Sequence, residues 1–425
     1  MSAAYAATRD NNRSGMSQSA QTTEPSGVAT RREYTILFAV IITMMVNQTA
    51  VVIISPLAVE IARDFDVSVS LSGQLRTVSA LLSALLAPFV GLMSDRLGRR
   101  PVMFLGLLSI LTCGLASTVA PTFALLMAAQ TIAGFGIASL LSSGYAVIAD
   151  NFPAERRAWA VGIITIGQPM AWVVGLPLIG LVADEFGWRW SFLAVPVLFS
   201  LVGIVALRYV PASGGAPSGA AGSRPLASLG TILRERSPRS WILAELAAYS
   251  GWAGSLVFLG AFYISEHGRS TALTGVLLSV IALAFVVGSL FSNRIVIRFG
   301  IRQTMVWAAT VSSFGLALAL ILIPGVWVSM TLLMLFGFMQ GIRGAAASVL
   351  GLMQSPEHQG AMMGFRASVV QMGYVLGGIV GGAFLAAGGY ALLGTMFGLL
   401  IVGASIAMAT QVEIRQPGVP TQKPG

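Results

Sequence analysis

Few side chains in this chain can do chemistry, and those that can lie in apolar surroundings. Glu245, Arg343 and Arg366 are ionisable groups within long apolar stretches, and Asn47, Gln48, Gln130, Gln168, Gln340 and Gln371 are amides in the same setting. The aromatic residues Trp172, Tyr249, Trp252 and Tyr374 accompany them. A polar group in hydrocarbon is costly, so by default it faces a cavity or a partner. For any single amide, a bond from helix to helix explains it as readily as contact with a solute. A buried carboxylate that gains and loses an arginine could also load and release a proton, which singles out Glu245. Other chemistries are excluded. Cys113 is the sole cysteine, and the only two histidines, His267 and His358, fall in loops on opposite sides, so neither a disulfide nor a metal cluster can form. No set of nucleophile, base and orienting group is present, and no glycine-rich loop of the nucleotide-binding type. Gly134-Phe135-Gly136 follows no strand and reads as helix packing. No cofactor is expected.

The elements that must position these residues are set by composition. Of 425 residues, 56% are hydrophobic and 10% charged, against about a quarter charged in a soluble domain. About 20 apolar residues are needed to cross a bilayer as a helix. Such stretches are predicted at 35–58, 71–94, 101–119, 122–149, 157–183 and 188–210, then at 241–264, 271–294, 302–323, 325–350, 361–387 and 388–411. A net charge of +9 could suggest nucleic acid, but the basic residues sort by side of the membrane instead. Arg31, Arg32, Arg96, Arg99, Arg100, Arg156, Arg157, Arg298 and Arg302 fall on one side with both chain ends, whereas the other side holds Arg63, Arg189 and Arg269. That asymmetry predicts cytoplasmic termini.

Residues 1–33 are polar and are expected to form a disordered cytoplasmic tail. Two helical bundles are expected at 34–210 and 241–412, joined by a flexible cytoplasmic linker at 211–240 rich in Gly, Pro, Ala and Ser, with a short tail at 413–425. An internal repeat supports the division. At a constant offset of 202 residues, Gly162, Gly175, Gly180 and Gly187 match Gly364, Gly377, Gly382 and Gly389, and Trp188 then matches Tyr390. Small residues let membrane helices approach closely, so these glycine rows are candidates for the contact between halves. At about 1.5 Å per residue, Glu245, Arg343 and Arg366 share a depth one to two turns inside the cytoplasmic surface. Glu245 is therefore expected to pair with Arg343 in one conformation and Arg366 in another, or to form a static bridge. Arg76 is expected to snorkel to the interface.

The loop after the second span reads Gly91-Leu92-Met93-Ser94-Asp95-Arg96-Leu97-Gly98-Arg99-Arg100. It matches the signature G-x-x-x-D-R-x-G-R-R at every defined position, and over about residues 34–412 the chain resembles the major facilitator superfamily. The resemblance implies an all-α integral membrane fold of twelve transmembrane helices in two pseudo-symmetric six-helix bundles. It makes Gly91, Asp95, Arg96, Gly98, Arg99 and Arg100 a conformational latch, with Asp150 placed where the family keeps an acid for a signature-loop arginine; Asp150 is expected to meet Arg96. The loop at 288–302 is a degenerate copy, with Asn293 where an acid would stand. Gly162, Gly167, Pro169, Gly175, Pro177 and Gly180 look like the fifth-span signature of the family's exporters, although Gln168 interrupts its Gly-Pro pair. Span four offers Gln130 but lacks the arginine that the exporters commonly tie to proton handling, and span one lacks a buried acid.

In the family's arrangement, a central cavity would be lined by Asn47, Gln48, Gln130, Gln168, Trp172, Tyr249, Trp252, Gln340, Arg343, Gln371 and Tyr374. The resemblance thus implies a secondary active transporter of the twelve-helix efflux branch, exporting a small amphipathic molecule by alternating access in exchange for protons. An uptake symporter on the same fold and a non-transporting membrane sensor are the other readings. Expected partners are a small-molecule substrate, protons and the lipid bilayer, with no nucleic acid, in a monomer. The short loops and the preponderance of Arg over Lys point to a bacterial inner membrane.

Overall fold

Long apolar stretches separated by short polar breaks leave the backbone one way to satisfy its own hydrogen bonds in lipid, and that is the helix. A computed structural model describes residues 30–212, 235–354 and 359–413, which hold no strand. The first half runs through α1 (Arg31–Val52), α2 (Ile54–Asp64), α3 (Val69–Leu97), α4 (Arg99–Thr118), α5 (Phe123–Asn151) and α6 (Ala154–Phe186). It ends with α7 (Trp188–Phe192), a π-helical turn at Leu193–Val197, and α8 (Leu198–Ala206). Pro196 lies in that π turn, where the wider loop accommodates a residue that has no N–H to donate. The second half comprises α9 (Arg236–Ser265), α10 (Thr271–Phe299), α11 (Ile301–Leu322), α12 (Val326–Gln354) and α13 (Gln359–Gln411).

Among the described residues, eleven helical segments are long and apolar enough to cross a membrane. The last is folded back on itself where Gly388 and Gly389 leave helical geometry, so α13 supplies two crossings. Twelve crossings result, as the sequence predicts. Helix ends overrun the predicted spans. Thr30 caps α1 by accepting from the Glu33 amide at 3.3 Å while Glu33 Oε2 accepts from the Thr30 amide at 2.7 Å, a capping box that starts the helix inside the stretch expected as a tail. Likewise α9 begins inside the expected linker. The rest of the N-terminal tail, most of the linker, all but the first residue of the C-terminal tail, and His358 lie outside the described residues.

Gly98 and Gly300 stand 202 residues apart, the same offset as Gly187 and Gly389. All four carry positive φ, at 93°, 81°, 90° and 65°, and each ends one membrane helix and starts the next. Ser68 and Ser270, again 202 apart, cap α3 and α10 in the same way. At these positions the repeat is therefore present in backbone conformation as well as in sequence.

Within the first half α5 packs on α3 and α4, and α1 on α6; within the second α9 packs on α13, and α12 on α10 and α11. The halves meet along α6 with α10, α3 with α13, and α2 with α9. The 202-residue repeat exchanges the first two of these contacts. A Cβ added at Gly180 would stand 2.3 Å from the Thr271 carbonyl oxygen, one at Gly275 2.3 Å from that of Leu176, and one at Gly260 2.0 Å from that of Ser55. Of the predicted glycine rows, Gly180 and Gly382 face the other half, whereas Gly175 and Gly377 pack within their own, and the Gly364 surroundings lie outside the described residues.

Candidate functional site

Hydrogen bonds between the halves are confined, among the described residues, to one end of the bundle. Ser55 donates to the Leu256 carbonyl, Ser70 to that of Gly382 at 2.7 Å, and Gln74 to that of Gly378 at 2.9 Å. The deepest is Gln371 Nε2 to Ser83 Oγ at 2.7 Å, at the midpoint of α3. At the outer edge two carboxylates grip the start of α10. Asp184 Oδ1 accepts from the Thr271 amide at 3.0 Å, and Glu60 Oε1 accepts from the Thr271 hydroxyl. Glu60 lies beyond the predicted end of the first span. Burial pushes its carboxyl above the ordinary value, the Thr271 bond pulls it back, Asp184 adds to the rise and Arg63 opposes it.

From Ser83 towards Leu97 no hydrogen bond joins the halves among the described residues, and the polar ties there lie within each half. In the first, Arg99 Nε donates to Asp150 at 2.9 Å, its NH1 also reaches Asp95, and Arg156 pairs with Glu33 at 2.7 Å. In the second, Ser237 donates to Gln354 at 2.6 Å, and Arg302 to the Val412 carbonyl at 2.9 Å. Thr30 and Glu413, the first and last described residues, lie at this end.

The predicted latch differs from expectation in its arginine. Asp150 meets Arg99, not Arg96, which is exposed and forms no ion pair among the described residues. The cause is the turn. Gly98, with φ 93°, reverses the chain so that Arg99 opens α4 beside the end of α5, while Arg96 stays on the outer face of α3 next to Phe89, Leu92 and Met93. Arg100 is half-buried, Asp95 is exposed, and Gly91 has open space where a side chain would project.

The predicted cavity residues divide. Asn47 donates to the Ile137 carbonyl at 2.9 Å and Gln130 to Ser117 at 3.4 Å, both buried, so each joins helices of the first half. Gln340 repeats the second arrangement with Ser312 at 3.1 Å. Trp252 stacks on Phe285 and leans on Phe336, both with centroids at 5.1 Å, and belongs to the core of the second half. The Gln168 side chain lies outside the described residues. Gln48 accepts from Trp172 Nε1 at 3.0 Å. Glu245, fully buried, faces two arginines in one conformation: Arg343 NH1 at 3.1 Å from Oε2 and Arg366 NH2 at 3.7 Å from Oε1. Arg343 Nε also donates to Gln340 at 2.9 Å.

Arg76 overturns its expectation. Instead of snorkelling it is 1% exposed, donating to Ser79 Oγ and to Gln371 Oε1, each at 3.1 Å, with its guanidinium 4.0 Å from the centre of the Tyr374 ring. Tyr374 in turn meets Tyr249 edge to face at 6.1 Å. The missed signal is a polar stripe at helical spacing, Ser72, Arg76, Ser79 and Ser83, all buried. Between the halves here lies a small cavity of about 30 Å³ lined by Val51, Ser55, Arg76, Trp172, Leu256 and Tyr374 among others.

A family model described as Major Facilitator Superfamily matches residues 37–270 and 241–425. The inner membrane transport protein YdhP of Escherichia coli K12 is 25% identical over 379 residues, covering 84% of this chain and 90% of the relative. A probable sugar efflux transporter of Mannheimia succiniciproducens is 29% identical over 242 residues, covering 56% and 58%. Among solved structures, a D-xylose-proton symporter superposes with a TM-score of 0.74 at 16% identity, over 90% of this chain and 98% of that one.

Proposed function

The chain belongs to the Major Facilitator Superfamily, and from that membership we propose that it exports a small amphipathic molecule across a bacterial inner membrane by alternating access, in exchange for protons. The observation that carries this reading is the one-ended seal. Two halves that share a repeat, tied together from Ser83 outward and joined by no hydrogen bond on the other side among the described residues, form a bistable pair that can rock about the midplane. With both termini cytoplasmic, as the arginine asymmetry predicts, the sealed end is the external one and the structure faces inward. The latch of Asp95, Arg99 and Asp150 then braces the first half at its cytoplasmic end, with Gly98 as the hinge and Arg96 and Arg100 as flanking charges.

Export is supported by the fifth-span glycine and proline pattern and by the likeness to a probable sugar efflux transporter. Glu245 is the proton-handling candidate. The reading is tested in proteoliposomes, with purified protein, a panel of drugs, sugars and organic acids, and a pH gradient imposed or collapsed. Accumulation against a gradient that collapses with the pH difference is the expected result; facilitated movement indifferent to pH would remove the proton part, and no movement of any solute would remove the transport reading. An uptake symporter would show the opposite coupling sign in the same assay.

A further inference from the structure

We infer that the solute is an organic anion with an apolar body, and that Arg76 receives its negative charge. The inference deepens the transport reading and rests on it for the word solute. Three arginines are buried among the described residues. Arg99 pairs with Asp95 and Asp150, and Arg343 pairs with Glu245. Arg76 pairs with no carboxylate among the described residues. Its contacts are a serine hydroxyl, an amide oxygen and the face of a tyrosine ring, all neutral, and its Nε is buried with no acceptor. A full charge held in a low dielectric by dipoles alone is a costly arrangement, and removing the charge or supplying its opposite relieves it.

The surroundings say what the opposite charge is attached to. Arg76 lines the cavity between the halves, whose other walls are Val51, Trp172, Leu176, Leu256 and the Tyr374 ring, with Ser55 as a second polar group. The apolar lining with one cationic donor at its edge matches an amphipathic anion in chemistry, and the small cavity widens as the halves part: the hydrocarbon or aromatic part then lies against Trp172 and the aliphatic walls, and a carboxylate takes the bond that Gln371 now holds. Guanidinium geometry suits that exchange, since a carboxylate accepts from it in two parallel bonds where an amide oxygen accepts one. The wider charge balance agrees, because among the described residues Arg343 and Arg366 share the one carboxylate of Glu245 and Arg76 has none. Gln371 is the switch in this scheme. It bridges Arg76 and Ser83 across the halves in the sealed state, and an anion that displaces it loosens that tie, so binding and unsealing are coupled.

A merely structural Arg76 would bridge the halves and prefer no ligand charge. The two roles separate with matched probes: phenylpropionate, its amide and the corresponding amine, which share one skeleton and differ in charge. Binding to the purified full-length protein is measured by calorimetric titration. The carboxylate should bind tighter than the amide by about tenfold or more, the scale of a charge-assisted bond in a dry site, and the amine should bind weakest. Arg76→Gln should erase the preference. Gln371→Glu provides an internal carboxylate for Arg76, so it should also erase the preference while keeping or raising the melting temperature, which guards against a variant that fails to fold. A carboxylate that binds no better than its amide, or not at all, overturns the inference, as does a preference that survives both substitutions. The transport reading fails separately: if the anion binds through Arg76 but no vesicle assay moves it, the site stands and transport falls; if a neutral or cationic solute is carried instead, transport stands and the anion falls.

Discussion

Arg99 reaches Asp150 with its Nε at 2.9 Å while the same guanidinium holds Asp95, so one side chain ties the end of α3, the start of α4 and the end of α5. Ser94 joins the group, accepting from Arg99 at 3.3 Å and bonding Ser143 at 3.0 Å. Hydrogen bonds to charged groups contribute about 1.5–3 kcal/mol each when shielded from water, and Arg99 is mostly shielded. Arg99→Ala should therefore lower the melting temperature by several degrees and cut transport at least about tenfold, on the scale of one such bond. Arg96→Ala should leave stability near that of the native protein. Equal damage from the two variants would return the latch to Arg96.

The seal depends on backbone contact that leaves no room for a side chain. A Cβ at Gly180 would sit 2.3 Å from the Thr271 carbonyl oxygen, so Gly180→Val should hold α6 away from α10 and open the sealed end. Cys113 is the sole cysteine. A Cys113→Ala background with Ser70→Cys then reports the opening, because Ser70 is tied to Gly382 when the seal is made. Labelling of that cysteine by an impermeant maleimide added outside should rise severalfold with Gly180→Val. Unchanged labelling would show that the seal tolerates the added methyls, and labelling only from the inside would reverse the assigned sidedness.

The same cysteine reads out pH. Burial foremost raises the Glu60 carboxyl above its ordinary value in the sealed state, with Asp184 adding to the rise, while Thr271 and Arg63 oppose it. When the seal opens, Glu60 returns to water and towards its ordinary value. The sealed form therefore binds the proton more tightly, and the linkage sign follows: acidifying the outer face favours the sealed form, and that contribution fades as pH rises through the raised value. Labelling of Ser70→Cys, taken relative to a freely exposed reference thiol that corrects for loss of thiolate, should fall as external pH drops from about 7 to about 5, a range above the ordinary glutamate value. Glu60→Gln should remove the pH dependence of that ratio. A labelling rate that climbs on acidification would mean that the Thr271 bond outweighs burial.

What could be read from the chain alone divides along physical lines. Apolar length fixes the crossings, and Gly98 or Gly187 could be assigned to turns because each stands where one apolar span must end and the next begin. Which arginine meets Asp150 was not legible, since the answer depends on how the chain reverses at Gly98. Arg76 was misplaced for a related reason. One arginine near a helix end snorkels or packs according to the neighbour it faces, although the serine stripe around it at helical spacing pointed inward. Trp252 illustrates the limit for aromatic residues, because stacking on Phe285 inside a half and lining a path between halves leave the same trace in sequence.

Glu245 lies at the point where Arg343 and Arg366 converge, and its removal separates structure from proton handling. Oε2 is engaged by Arg343 at 3.1 Å, whereas Oε1, 3.7 Å from Arg366, has no hydrogen-bond partner. Deleting one member of a buried pair costs about 3–5 kcal/mol because the other charge is left unpaired. Glu245→Gln alone should thus destabilise, and Glu245→Gln with Arg343→Gln should recover most of the loss, which a melting series of the single and double variants measures. The double variant then isolates the chemistry, since it folds without a carboxylate. If Glu245 carries the proton, the double variant exchanges solute across vesicles but no longer accumulates it when a pH gradient is imposed. Undiminished pH-driven accumulation would make the pair a static bridge, and attention would move to Glu60, the carboxyl at the opposite end of the same path.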